Sequence, residues 1–92
     1  MNVYFAKTAR KEYETWVKSN PKTVDKIDEL IEDILTNGFL YGIGKPEKLR
    51  HYKNPVRFSR HISQEDRLVY CSSGDEGKDL LILSCKGHYE DK

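Results

Sequence analysis

The sequence has no run of apolar residues approaching the roughly 18 that a membrane-spanning helix needs. It opens on Met1-Asn2-Val3-Tyr4-Phe5, without the basic start and long apolar stretch of a secretion signal. The expectation is a soluble, cytoplasmic chain with no membrane contact. Cysteine is scarce: only Cys71 and Cys85 occur, on either side of one turn. If that turn is centred near Asp75-Glu76, the two thiols fall too far apart on paired strands to bond, so both are read as reduced and buried. They form no CxxC pair, and His51, His61 and His88 lack the close spacing of a zinc site, so no metal or other cofactor is expected. Gly42-Ile43-Gly44-Lys45 has no Ser or Thr after its lysine and opens no helix, which makes it a turn rather than a phosphate-binding loop. No serine sits in a nucleophile motif.

An excess of either charge is missing too, with 16 basic against 15 acidic residues. The distribution is uneven, however. Residues 44–70 hold seven Lys and Arg against three acids, whereas the stretches before and after are slightly acidic. A local cationic surface of this kind, with His51 and His61 added, suits a polyanion.

Ninety-two residues make one domain spanning 1–92, with a modest core. Val3-Tyr4-Phe5 reads as a first strand. Thr8 is a plausible cap for a helix with Ala9, Tyr13, Trp16 and Val17 on one face, stopping near Ser19-Asn20. Pro21 suits the first turn of a second helix capped by Asn20, with Val24, Ile27, Leu30, Ile31, Ile34 and Leu35 as a wide apolar stripe ended by Asn37-Gly38. Gly38 to Pro46 reads as a loop. Three strand-like runs follow, at about Val56 to Ile62, Arg67 to Ser73 and Asp79 to His88, with a turn over residues 72–78. The pattern predicts an α+β fold: an N-terminal strand and a two-helix hairpin packed on one face of an antiparallel sheet, the other face partly open.

Strand alternation sorts residues between those faces. Burying Leu68 and Tyr70 opposite Leu83 and Leu81 sends Arg67, Ser84, Lys86 and His88 to the open face. Val56, Phe58 and Ile62 point inward, leaving Arg57, Ser59 and His61 outside. Arg60 has inward parity, and because an unpaired buried guanidinium is costly it is expected near an edge or interface. The open face then gathers a chemical set. Glu47 can act as a general base, Arg67 can stabilise phosphorane charge, and His88 can act as a general acid, which are the parts needed to cleave RNA by attack of a 2′-OH on its own 3′-phosphate.

Gly42-Ile43-Gly44-Lys45-Pro46-Glu47-Lys48-Leu49-Arg50-His51, Phe58-Ser59-Arg60-His61-Ile62, Glu65-Asp66-Arg67-Leu68-Val69-Tyr70 and the closing His88-Tyr89 occur in that order, and the chain so resembles the YoeB/Txe family of toxin endoribonucleases. The resemblance implies a RelE-like, microbial-ribonuclease type of fold and metal-independent cleavage of A-site mRNA on the 70S ribosome. It implies a YefM/Phd-like antitoxin, operator DNA bound only through the toxin–antitoxin complex, and a possible homodimer. It assigns Glu47 as base, Arg67 as phosphate stabiliser and His88 as acid, with Tyr89 and Arg50 binding substrate; Lys45 lies within the same motif and joins them. The family's Ser-Arg-Arg-Ile reads Ser59-Arg60-His61-Ile62 here, so His61 replaces a site-facing arginine and Arg57 could supply a compensating cation. Glu90-Asp91-Lys92 extend past the usual terminus. The alternative reading is a protein that occupies ribosome or RNA and blocks translation without cutting.

Overall fold

The computed structural model of the chain describes residues 1–87. Strand β1 (Val3–Phe5) leads into helix α1 (Lys7–Ser19), then α2 (Pro21–Asn37). Strands β2 (Glu47–Lys53), β3 (Val56–His61), β4 (Arg67–Ser73) and β5 (Asp79–Ser84) complete an α+β domain. The five strands form one sheet in the order β1-β5-β4-β3-β2. The pairs among β2, β3, β4 and β5 are antiparallel, while β1 joins β5 in parallel, making the sheet mixed. Among the described residues, no helix is long and apolar enough to cross a membrane.

Both helices follow the apolar spacing. Ala9 of α1 and Ile27, Leu30, Ile31 and Ile34 of α2 are buried against Leu68, Tyr70, Leu80, Ile82 and Cys85 of the sheet side. Each fully buried aliphatic side chain contributes about 1.5–3 kcal/mol. Helix α1 begins one residue before Thr8, with Ala6 at its N-cap, so Thr8 is not the cap. Helix α2 ends where Gly38 turns to a φ of 91°, the left-handed region that glycine enters at little cost. The two cysteines are free and buried.

Further sequence expectations are corrected along the sheet. Residues 47–53 form a strand, β2, whose charged composition gives no apolar alternation because it lies at the sheet edge. In β5 the inward residues are Leu80 and Ile82, both fully buried, and Leu81 and Leu83 lie only partly buried. Register explains the shift: Tyr70 pairs with Ile82 and Val69 with Ser84, so a bulge inserts Leu83 and turns Ser84 to the open face despite the changed parity. Lys86 lies beyond β5 and stands 5.7 Å from the centroid of the Trp16 ring, on the helix side rather than the open face.

Arg60 overturns its expectation most completely. It is fully buried beneath the loop 38–46, at the join of α2 and the sheet. Its five N–H donors all find acceptors: Nε donates to Tyr70 Oη (3.0 Å), one Nη to Asp33 Oδ2 and Ile43 O (3.0 Å), and the other to Gly38 O and Tyr41 O (both 2.8 Å). Tyr70 Oη donates onward to Phe39 O at 2.6 Å, and Asp33 also accepts from Ile43 N and Asn37 Nδ2. A buried charge is tolerated when paired and fully hydrogen-bonded, which removes the cost that parity alone could not resolve. The rings of Phe39, Phe58 and Tyr70 pack together with centroids 5.2–5.8 Å apart, and Arg60 Cζ lies 5.9 Å from the Tyr70 centroid. Gly42, at a φ of +119°, admits this packing because a Cβ there would fall 1.8 Å from Asp33 Oδ2.

Arg60→Met keeps the apolar stem but strips every donor, and should cost about 3–5 kcal/mol in urea unfolding, the range for breaking a buried pair. A loss under about 1 kcal/mol would contradict the role given to this residue. The Arg60 hydrogen bond, foremost, holds the Asp33 carboxyl below its ordinary 3.8. A lowered folded-state pKa stabilises the fold above the unfolded value and loses that contribution as pH falls through the folded one. Stability of the native protein should therefore drop below about pH 4 more steeply than that of Asp33→Asn, as measured by unfolding at a series of pH values.

Candidate RNA-cleaving site

The Arg60 cluster delivers the chain to β2. Gly44 O accepts from His61 N at 2.7 Å, and two residues after Lys45, which has a φ of 52°, Glu47 opens the strand. Glu47 is exposed and lies opposite Ser59. Ser59 in turn lies opposite Val69, and Val69 opposite Ser84, so these four residues form one row across the open face. The neighbouring row pairs His61 with Arg67. With strands about 4.8 Å apart and a two-residue step of about 6.8 Å, the Cα atoms of Glu47 and Arg67 lie about 12 Å apart. Two long side chains can face one phosphodiester across that span.

Arg67 is held by the turn that follows β3. One Nη donates to the carbonyls of Ser63 (2.7 Å), Gln64 (3.0 Å) and Asp66 (3.2 Å), which leaves Nε and the second Nη as donors for a ligand. Only 9% of the residue is exposed, so its orientation is fixed. Ser63 Oγ accepts from the amides of Glu65 and Asp66 and shapes this turn. The last described residue is clipped to the same place: Gly87 N donates to Asp66 Oδ1 at 2.8 Å and Gly87 O accepts from Arg67 N at 3.0 Å. His88 and Tyr89 follow directly and lie outside the described residues.

The remaining candidates divide. His61 is half-buried opposite Arg67. Arg57 shares the open face and sits 4.5 Å from the centroid of the Tyr52 ring, a cation–π pair. Arg57 and Tyr52 line a cavity of about 200 Å³ with Thr8, Leu49, Val69, Leu83 and Ser84. Arg50 is exposed and lines a second hollow with Lys48, Lys53 and Val56, which adjoins that cavity by sharing Leu49 and Tyr52. Lys45 is exposed two residues before Glu47. Burial pushes the Cys71 thiol above its ordinary value, with Arg57 opposing more weakly, so this buried cysteine stays protonated at neutral pH. Among the described residues, no three His, Cys, Asp or Glu side chains converge to hold a metal ion.

Sequence reasoning missed Asp66 as the anchor of Gly87 and Tyr52 as the partner of Arg57. The Ser63-Gln64-Glu65-Asp66 run carried a turn signal that pointed to the first. Nothing local announced the second, because it depends on the β2–β3 hairpin bringing the two together.

Residues 5–89 match the model of the YoeB-like toxin of bacterial type II toxin–antitoxin systems. Toxin YoeB of Escherichia coli K12 is 37% identical over 89 residues, covering 97% of this chain and all of that protein. Among solved structures, a YoeB/ParE toxin from Agrobacterium tumefaciens superposes with a TM-score of 0.86 at 33% identity, covering 97% of this chain and 100% of that one. A YoeB dimer from Staphylococcus aureus gives 0.83 at 42% identity, with 97% and 98% covered, and a YoeB–YefM complex from the same organism gives 0.81 at 43%, with the same coverage. Sequence, fold and the placement of Glu47 and Arg67 on one face lead to the same conclusion: the chain belongs to the YoeB-like toxins of bacterial type II toxin–antitoxin systems.

Proposed function

We propose that this toxin is a ribosome-dependent endoribonuclease that cuts mRNA in the A site without a metal. The observation that carries the reading is the strand register that sets Glu47 and Arg67 in adjacent rows of one exposed sheet face, with Gly87 clipped beside Arg67. Glu47 removes the proton from a ribose 2′-OH. The 2′-oxygen then attacks the adjacent phosphorus, and the P–O5′ bond breaks. Arg67, held by its turn, offers its free donors to the phosphorane oxygens as negative charge develops, which is where preorganised donors lower a barrier most. His88, tethered one residue past Gly87, is assigned the proton for the departing 5′-oxygen. The products are a 2′,3′-cyclic phosphate and a 5′-hydroxyl. Lys45, Arg50, Arg57, His61 and Tyr89 are assigned to binding the RNA backbone and bases.

The partners follow from the relatives. A YefM-like antitoxin is proposed to neutralise this chain, as Staphylococcus aureus YoeB is found in complex with YefM, and the pair rather than the toxin alone would reach operator DNA. Self-association is proposed by the same comparison with the Staphylococcus aureus dimer. Action on the ribosome places the protein in the cytoplasm.

Purified protein added to programmed ribosomes should cut the message, with new 5′ ends mapped by primer extension. Glu47→Ala, Arg67→Ala and His88→Ala should each lower the single-turnover rate by about 10²–10⁴-fold, the range for losing an acid, a base or a charge stabiliser. Wild-type rates in the Glu47 and His88 variants would overturn the assignment. Arrested translation with intact message would instead favour a protein that blocks the ribosome without cutting, a reading kept by His61 in the place of the family's arginine. His61→Arg should then restore cleavage.

A further inference from the structure

The ribonuclease reading leaves the cavity beside Arg57 without a task. Its walls join three apolar side chains, Leu49, Val69 and Leu83, to the polar groups of Arg57, Tyr52, Thr8 and Ser84. Leu49, Val69 and Ser84 are nearly fully buried, so the pocket is built into the sheet rather than scraped from its surface. The bulge in β5 contributes by turning both Leu83 and Ser84 to this face opposite Val69.

Two polar atoms here lack partners. Arg57 Nε and, two residues along the same face of β3, Ser59 Oγ are buried with no hydrogen-bond partner. Leaving such an atom unpaired costs about 1–3 kcal/mol, and a native structure seldom bears that cost without return. By contrast, the buried Arg60 on the other face satisfies all five of its donors. An acceptor brought in from outside would complete Arg57.

The dimensions and chemistry choose the ligand. Sites for drug-sized molecules occupy about 300–1,000 Å³, so 200 Å³ suits one small planar group. A phosphate would pair with Arg57 but leave the walls of Leu49, Val69 and Leu83 without an apolar partner. A nucleobase has two apolar faces and a hydrogen-bonding edge, and single-stranded RNA is recognised by splaying bases onto such surfaces. Location fits as well: Arg57 lies one two-residue step, about 6.8 Å, beyond the row that holds Glu47 and Ser59. A base next to the scissile phosphate reaches it.

We propose that this cavity is a nucleobase pocket, in which Leu49, Val69 and Leu83 enclose one unpaired base of the RNA and Arg57 Nε donates a hydrogen bond to an acceptor on its edge. The pocket rests on RNA being the substrate and adds base selectivity to that reading. Arg57 and Tyr52 hold each other in place by their stacking contact, which fixes the direction of the Nε–H.

The test is direct binding, separate from cleavage. AMP, GMP, CMP and UMP are titrated one at a time into the wild-type toxin to millimolar concentrations, following the Arg57 Nε–H and Leu83 methyl NMR signals, with ribose 5-phosphate as the probe lacking a base. At least one nucleotide should shift both signals and ribose 5-phosphate neither. Arg57→Lys, which keeps the charge but removes Nε–H, should weaken that binding by about ten-fold, and Leu83→Trp, which fills the space, should abolish it. Thermal melting of both variants confirms that they fold. Equal shifts with ribose 5-phosphate, no shift with any nucleotide, or undiminished binding by Arg57→Lys would each overturn the pocket. A toxin that binds nucleotides here yet cuts no message on ribosomes would overturn the nuclease reading and leave the pocket standing.

Discussion

The guanidinium of Arg60 is the point on which the domain is assembled. It ties α2 through Asp33, the core of the sheet through Tyr70, and the connecting loop through three backbone carbonyls. Phe39 is the one large apolar side chain that the loop 38–46 packs on the core, since Leu40, Tyr41 and Ile43 are exposed. The loop's conformation is instead dictated by where five N–H vectors point, and those vectors are rigid because a guanidinium is planar. The end of the loop sets the start of β2. Glu47 consequently owes its position to an arginine on the opposite face of the sheet, three residues past Arg57.

The two faces of the sheet solve different problems. On the helix side, every donor of the buried Arg60 is met. On the other side, Arg67 keeps donors in reserve, and Arg57 and Ser59 hold buried polar atoms with none. Local incompleteness of this kind is costly in a core and useful in a site, because the missing partner is supplied by the ligand. The asymmetry follows from topology: the helical hairpin can cover one face only, and short antiparallel connections leave the other bare.

Much of this was legible in the sequence. The helices announced themselves because Ile27, Leu30, Ile31 and Ile34 repeat at the helical period, and Pro21 and Gly38 punctuate the ends. The α+β class and the outward placement of Arg57, His61 and Arg67 followed from alternation. The failures were of two physical kinds. Strand β2 was hidden because Lys48, Arg50 and Lys53 interrupt any apolar pattern, yet charges of this sort suit an edge strand, where they discourage pairing with another chain. The inward residues of β5 and the fate of Arg60 could not be read because each depends on distant partners: a bulge set by β4, and carbonyls from a loop some twenty residues upstream. Alternation also accounted for Arg67 on the open face; the cavity beside Arg57, created by the hairpin and the bulge, had no local signature.

Parallel pairing of β1 with β5 joins Val3 to Leu80, nearly the full length of the chain. The first strand therefore has no neighbour in the sheet until the last one has left the ribosome. Helix α2 waits as well, since Leu68, Tyr70, Leu80 and Ile82, which cover its apolar stripe, are made late. Contacts of such sequence separation are slow to close, and folding has to follow synthesis rather than accompany it. The ribosome that makes this chain thus finishes all five strands before a folded copy exists.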